Sequence, residues 1–282
     1  QTLLSLFMRL LILILLISSS NVVFGQDAHR KGNIYGLWGY NRSIYAPSDI
    51  KFEGQDYNFV LYDAKAVDFP SEFNPSVYFG LFTFTIPQYN YRVGYFVTND
   101  ISVSIGLDHM KYVLVSDQRV LMDGVIGSSY QNYSGHYDDV EVPLETTLVT
   151  LEHTDGFNYA SIELDKHWLM WRHTNGKHFA DWYFGGGIGL MIPRSDVTVL
   201  GEAAANEFHI AGEAISIQTG FKSTFCKHIY ISGTLKAGLS RLHNILTTQS
   251  RAKAKQNIGW LQGYWQVGYI GNLKWKRNKS TQ

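Results

Sequence analysis

The chain carries one cysteine, Cys226, in 282 residues. A single thiol excludes an intramolecular disulfide, a four-cysteine zinc site and a CxxC redox pair, and it lies far from the N-terminal position of a lipid-anchoring cysteine. Charge is also scarce. Charged residues make up 17% of the chain, and 24 basic residues cancel 24 acidic ones. No basic excess therefore points to nucleic acid as a partner. Past the N-terminus there is no run of about 18 apolar residues, so no transmembrane helix follows. What is present is 15% aromatic residues and 26 glycines. That mix is too aromatic and too poorly charged for disorder, and it suits long strands joined by tight turns.

The N-terminus reads as an export signal. "MRLLILILLISSSNVVFG" (8–25) has a basic residue at Arg9, an apolar run over 10–17, and Val23 and Gly25 at the −3 and −1 positions. Residues 1–25 are expected to be a signal peptide, with translation starting at Met8 and the mature chain at Gln26. The apolar run is too short for a spanning helix. An exported chain of amphipathic strands is either a secreted sandwich or an outer-membrane barrel.

Eight strands are expected, at 33–45, 90–97, 101–115, 158–171, 179–192, 208–221, 229–242 and 258–275. Tight connections follow the second, fourth and sixth, including an Asn175-Gly176 turn. Long polar segments follow the others: 46–89, 116–157, 193–207 and 243–257. Short turns at one end and long loops at the other are the pattern of an even-stranded outer-membrane barrel with both termini in the periplasm. Alternation agrees. In the seventh strand Ile229, Ile231, Leu235 and Leu239 oppose Tyr230, Ser232, Thr234, Lys236 and Ser240. Two strands fit less well: Lys166 shares parity with Ile162 and Leu164, and apolar parity switches between Ile210 and Ile215. A bulge in each would account for this. The runs at 57–63 and 77–86 are also strand-like, so ten strands is the alternative count.

The phrases "YGLWGYNRSIY", "SDIKFEG", "YNYRVGYF" and "GLDHMKYV" resemble the small outer-membrane β-barrel proteins of Gram-negative Bacteroidota. The resemblance covers most of the mature chain. It implies an all-β, eight-stranded antiparallel transmembrane barrel over 26–275 and brings no defined activity. The sequence departs from the usual terminal aromatic, because Trp275 is followed by "KRNKSTQ", a short basic periplasmic tail over 276–282.

In this register Arg92, Asp108, Glu163, Asp165 and Lys236 face the lumen with His167 beside them, and Glu213 joins if the sixth strand is bulged. An eight-stranded lumen is just wide enough to be filled by side chains. Buried charges of both signs must pair, which predicts a salt-bridged plug. A narrow channel is the alternative. His109 and Lys111 have lipid-side parity at the outer interface, where the apolar face of "DISVSIGLDHMKYVL" (100–114) ends.

A lipid A-modifying hydrolase would need a His-x-Ser-Asn motif. "RHTNG" (172–176) has the wrong spacing and no serine, and no serine on a facing strand is evident for His109, so no catalytic residue is assigned. Asp138, Asp139, Glu141 and Glu145 gather in "GHYDDVEVPLE" (135–145). They could hold a calcium ion, although a solvated loop is the plainer reading. The ten histidines are scattered, so no metal site and no cofactor are expected. "GGGIG" (185–189) lacks the lysine and helix of a phosphate loop and makes room for large lumenal neighbours. The expected function is a structural or interaction role in the outer membrane: envelope integrity, adhesion, or service as an accessory subunit of a larger envelope complex. The expected partners are lipid, lipopolysaccharide and other envelope proteins met through the external loops.

Overall fold

The computed structural model describes residues 29–80, 87–250 and 252–272. The strands in chain order are β1 (Asn33–Tyr45), β2 (Ser48–Gly54), β3 (Tyr57–Ala64), β4 (Ala66–Val67), β5 (Tyr89–Phe96), β6 (Ile101–Met110), β7 (Val113–Leu114) and β8 (Arg119–Ile126). They continue with β9 (Gly135–Pro143), β10 (Val149–Glu152), β11 (Phe157–Arg172), β12 (Phe179–Pro193), β13 (Asp196–Val199), β14 (Gly212–Phe225), β15 (Ile229–Leu246) and β16 (Lys253–Asn272).

Eight of them close into a ring. The hydrogen-bonded order is β1, β5, β6, β11, β12, β14, β15, β16, and β16 pairs back to β1. That closing seam runs antiparallel from Asn33↔Asn272 to Tyr45↔Trp260. Period-2 alternation decides which side chains point inward. On β11, Ile162 and Leu164 are exposed outside while Glu163, Asp165 and His167 are buried inside. Ile105, Ile188, Ile215, Leu235 and Trp265 extend the outer apolar belt around the ring. A belt of this kind is costly in water and suited to lipid, where only a helix or a closed barrel satisfies every backbone group. Tight turns join the strands at one end and long connections at the other, as in outer-membrane barrels. The chain is an integral, multi-pass outer-membrane β-barrel.

The long connections fold into a cap. β15 and β16 outrun the other wall strands, and Lys253–Gln256 of β16 pair with β2. From there the sheet continues through β3 and β8 to β9. A second sheet has the order β13, β10, β7, β4. Ile50, Phe52, Phe59, Leu61, Met122, Leu144, Leu151 and Val197 are buried in one cluster with the barrel residues Phe157, Tyr159, Met191, Ile258 and Trp260. Each such side chain contributes about 1.5–3 kcal/mol when buried. The cap core therefore continues into the outer mouth of the barrel.

Several expectations are corrected. The third strand leaves the barrel at Met110, and the sixth spans Gly212–Phe225 rather than 208–221. Glu213 is exposed and faces His243 across 3.5 Å, so it stays outside the lumen. No bulge is needed at Lys166, which points outward at the inner rim and pairs with Asp100. The β11 irregularity lies between Leu169 and Trp171. Of the two extra candidate strands, the first is β3 in the cap. The second begins inside the helical turn Pro75–Tyr78 and ends at 81–86, which lie outside the described residues. The expected signal peptide, Trp275 and the expected periplasmic tail also lie outside them.

His153 sits in the cap at 0% exposure, stacked on Phe157 at 5.3 Å, and neither ring nitrogen has a hydrogen-bond partner. Burial, with a smaller contribution from the charge of His209, pushes its imidazole down to about 3. The unfolded chain binds this proton below about pH 6.5 and the folded cap does not. Stability is therefore complete above that pH and falls by about 1.4 kcal/mol per unit on acidification, until the pH nears the folded value. His153→Phe is expected to abolish this dependence between pH 7 and pH 5 in thermal unfolding. An unchanged pH slope in the variant would contradict the assignment.

Candidate functional site: a buried charge network in the lumen

The lumen is layered beneath the cap. Tyr159 and Trp260 pack edge to face at 5.6 Å across the outer end. Below them Lys236 Nζ lies 2.6 Å from Asp108 Oδ2 and 2.5 Å from Glu163 Oε1, with all three side chains at 0% exposure. Arg92 Nη2 approaches Glu163 Oε1 at 2.8 Å and Asp108 Oδ1 at 3.3 Å. Asn90 and Ser161 donate to the two carboxylates at 2.7 and 2.9 Å. The Tyr159 and Tyr264 rings flank the ammonium at 5.6 and 5.3 Å, close enough for cation–π attraction.

Further inward, Gln218 Nε2 bridges Glu163 Oε2 and Asp165 Oδ1, both at 2.7 Å. His167 Nε2 meets Ser102 Oγ at 2.9 Å, and its Nδ1 faces Lys222 Nζ at 3.5 Å. At the inner mouth Arg30, which precedes β1, turns into the lumen and pairs with Asp181 at 2.6 Å. Its guanidinium lies 5.2 Å from the Phe96 ring centroid. Between these layers a cavity of about 30 Å³ is lined by Tyr35, Asp165, His167, Gln218, Lys222 and Gln266 among others. That is room for about two waters, and the orphaned Gln218 Oε1 and Gln266 Nε2 supply polar partners for them.

Neighbouring glycines make this packing possible. A Cβ on Gly185 would lie 2.0 Å from Asp165 Oδ1, and one on Gly187 2.5 Å from Glu163 Cγ. The "GGGIG" run thus makes room for the carboxylates of the adjacent strand rather than for residues across the barrel.

All six lumenal residues expected from the sequence face inward, and Arg92, Asp108, Glu163 and Lys236 form one contact group. Asp165 and His167 join through Gln218, Ser102 and Lys222. Three charges escaped the sequence reading of the network. Lys222 lay beyond the expected end of its strand, Arg30 lay before the first strand, and Asp181, on the fifth expected strand, was not included. With them the buried lumen holds Arg30, Arg92, Lys222 and Lys236 against Asp108, Glu163, Asp165 and Asp181, a formal balance.

The other candidates lie elsewhere. His109 is on the outer wall but buried, with Nδ1 2.8 Å from Asn158 and its ring stacked on Tyr89 at 4.7 Å. Lys111 donates to Ser71 at 3.0 Å. Asp138, Asp139 and Glu141 lie on β9 rather than in a loop, and Glu141 pairs with Arg119 at 3.1 Å. Glu145 faces Tyr133 at 3.3 Å. Among the described residues no three acidic, histidine or cysteine side chains converge on a metal-sized site.

No protein-family model and no curated protein matches the sequence. Among solved structures the chain is similar to the outer membrane protein OprG from Pseudomonas aeruginosa, at 10% identity and a TM-score of 0.38, over 88% of this chain and 100% of that one. It is also similar to Neisserial surface protein A, at 9% identity and 0.35, over 85% and 97%. The N-terminal β-barrel domain of Pseudomonas aeruginosa OprF gives 9% and 0.33, over 86% and 98%. At such values the likeness carries nothing about activity.

Removing one member of a buried ion group leaves the others uncompensated, at a cost of about 3–5 kcal/mol. Lys236→Met is expected to lower the thermal unfolding midpoint of the detergent-folded barrel sharply. Adding Asp108→Asn restores the charge balance and should recover most of the loss. Equal midpoints in the wild type and both variants would contradict the network.

Proposed function

We propose that this chain is a closed, non-conducting barrel whose work is done by its external cap, in an interaction role as an accessory subunit of a larger envelope complex. The carrying observation is that the long connections are spent on two sheets sharing one core with the barrel mouth. Loops that only join strands need no core of their own. The cap also offers a surface for a partner. In the sheet order β9 is an edge strand, paired among the described residues only with β8, and Leu121, Val125 and Val140 are exposed nearby. The phrases quoted from the sequence favour membership of the Bacteroidota type.

Transport is disfavoured because the axial path meets the aromatic cap core, the Lys236 group and the Arg30–Asp181 pair in succession. Hydrolysis is disfavoured because Ser102 and His167 are enclosed in the lumen, where the second ring nitrogen of the histidine faces the cation of Lys222. A catalytic base needs the reverse, an acceptor that orients its N–H.

Two measurements test this reading. In planar bilayers the purified protein is expected to give no discrete conductance steps, and steady channels would favour transport. Mild detergent extraction is expected to bring a stable envelope complex along, whose cross-links map to β8 and β9. A clean monomer that cross-links to nothing would contradict the accessory role.

A further inference from the structure

The first long connection does more than build the cap. After β4, the segment 68–79 turns back along the outside of the barrel. Asp68 accepts from Arg42 Nε at 2.7 Å and from Gln88 Nε2 at 2.6 Å. Ser71 accepts from Lys111 Nζ at 3.0 Å, and the Tyr78 carbonyl accepts from the Tyr40 hydroxyl. Tyr40 and Arg42 have outward parity on β1, Lys111 follows the end of β6, and the buried Gln88 ties Asp68 to the rim, so the segment is strapped along the outer edge of the wall.

Its height follows from the register. Asn33 lies at the inner end of the β1–β16 ladder, and Tyr40 pairs with both Trp265 and Tyr89. About 9–11 tilted residues cross the hydrocarbon, so the strap lies at the outer boundary of the bilayer.

The side chains that the strap exposes are three phenylalanines interspersed with the polar Glu72, Asn74 and Ser76. Phe69, Phe73 and Phe79 are 58%, 71% and 70% exposed, values like that of Ile188 in the barrel belt at 66%. Phe73 is continuous with the outer wall, because ring contacts run from Trp38 to Tyr40 at 4.9 Å, to Tyr78 at 5.0 Å and to Phe73 at 5.2 Å. Polar tethers hold the strap to the wall, the phenylalanines project from it, and the exposed Glu72, Asn74 and Ser76 beside them suit headgroup depth. That is the division of an in-plane interfacial element.

We propose that the 68–79 strap is a membrane-inserted anchor, with Phe69, Phe73 and Phe79 seated among the acyl chains of the outer leaflet beside β1 and β5. The occupant of this surface is lipid. The anchor widens the apolar belt on one side only and so fixes how the cap is turned above the membrane. This rests on the membrane-barrel reading and is independent of any partner of the cap.

The lone thiol at the exposed Cys226 permits a clean test. In a Cys226→Ser background, Phe73→Cys, Ser128→Cys on the cap and Ile105→Cys on the barrel wall each carry one environment-sensitive fluorophore. The proteins are reconstituted in phosphatidylcholine vesicles containing nitroxide lipids, labelled near the headgroup or near the bilayer centre. Iodide serves as the aqueous quencher. The label at position 73 is expected to be quenched more by the headgroup-proximal nitroxide than by iodide, and the label at 128 to show the reverse. If the label at 73 behaves like that at 128 while the label at 105 is quenched by lipid, the anchor is overturned and the barrel stands. If the label at 105 also escapes the lipid nitroxides, the barrel reading falls as well. Phe79→Cys repeats the measurement should Phe73→Cys fail to fold.

Discussion

The ammonium of Lys236, held between Asp108 and Glu163 in the middle of the barrel, is the constraint on which the remaining lumen depends. A charge at 0% exposure is tolerated only when its partners lie at contact distance. Three different strands must therefore meet in one register, β15 bringing the lysine, β6 and β11 the carboxylates. Arg92 then neutralises the second carboxylate, Gln218 passes the network on to Asp165, and glycines on the adjoining strand leave space for the acidic side chains. Slipping any of these strands by one residue would turn its charge toward lipid. The ion group thus specifies register as well as filling space.

This arrangement gives the molecule two kinds of interior joined end to end. The lower lumen is polar and held by ion pairs. The upper mouth is apolar and held by the cap, where Phe157 and Trp260 of the wall share a core with Phe52, Phe59 and Met122 of the external sheets. A narrow barrel with a small lumen has little use for sizeable ordered loops unless those loops themselves carry the function. Under the proposed interaction role the strap along the outer wall fits the same logic, since a platform for a partner benefits from a fixed orientation relative to the membrane.

Much of the barrel was legible because its physical cause is local. Alternation along most wall strands, β15 among them, exposes one face to lipid, and the segregation of short and long connections orders the strands without any long-range information. Lumenal parity placed Arg92, Asp108, Glu163, Asp165, His167 and Lys236 inside for the same reason. What stayed hidden depends on contacts distant in sequence. The alternating residues of β3 read as a strand, but β2 did not, and its pairing with an extension of β16 some two hundred residues away has no local signature. Arg30 enters the lumen from outside any strand, and Lys222 lay past an apparent strand end. Lys166 looked like a parity error because its sequence position does not reveal that Asp100 awaits it at the inner rim.

The central claim is that cap and barrel are one folded body. Hydrogen–deuterium exchange in lipid nanodiscs, resolved by peptide, tests it most directly. Amides of β2, β3, β8 and β10 are expected to be protected on the timescale of the wall strands β11 and β15. Exchange of those cap amides at the rate of an unstructured chain, with the wall still protected, would contradict it.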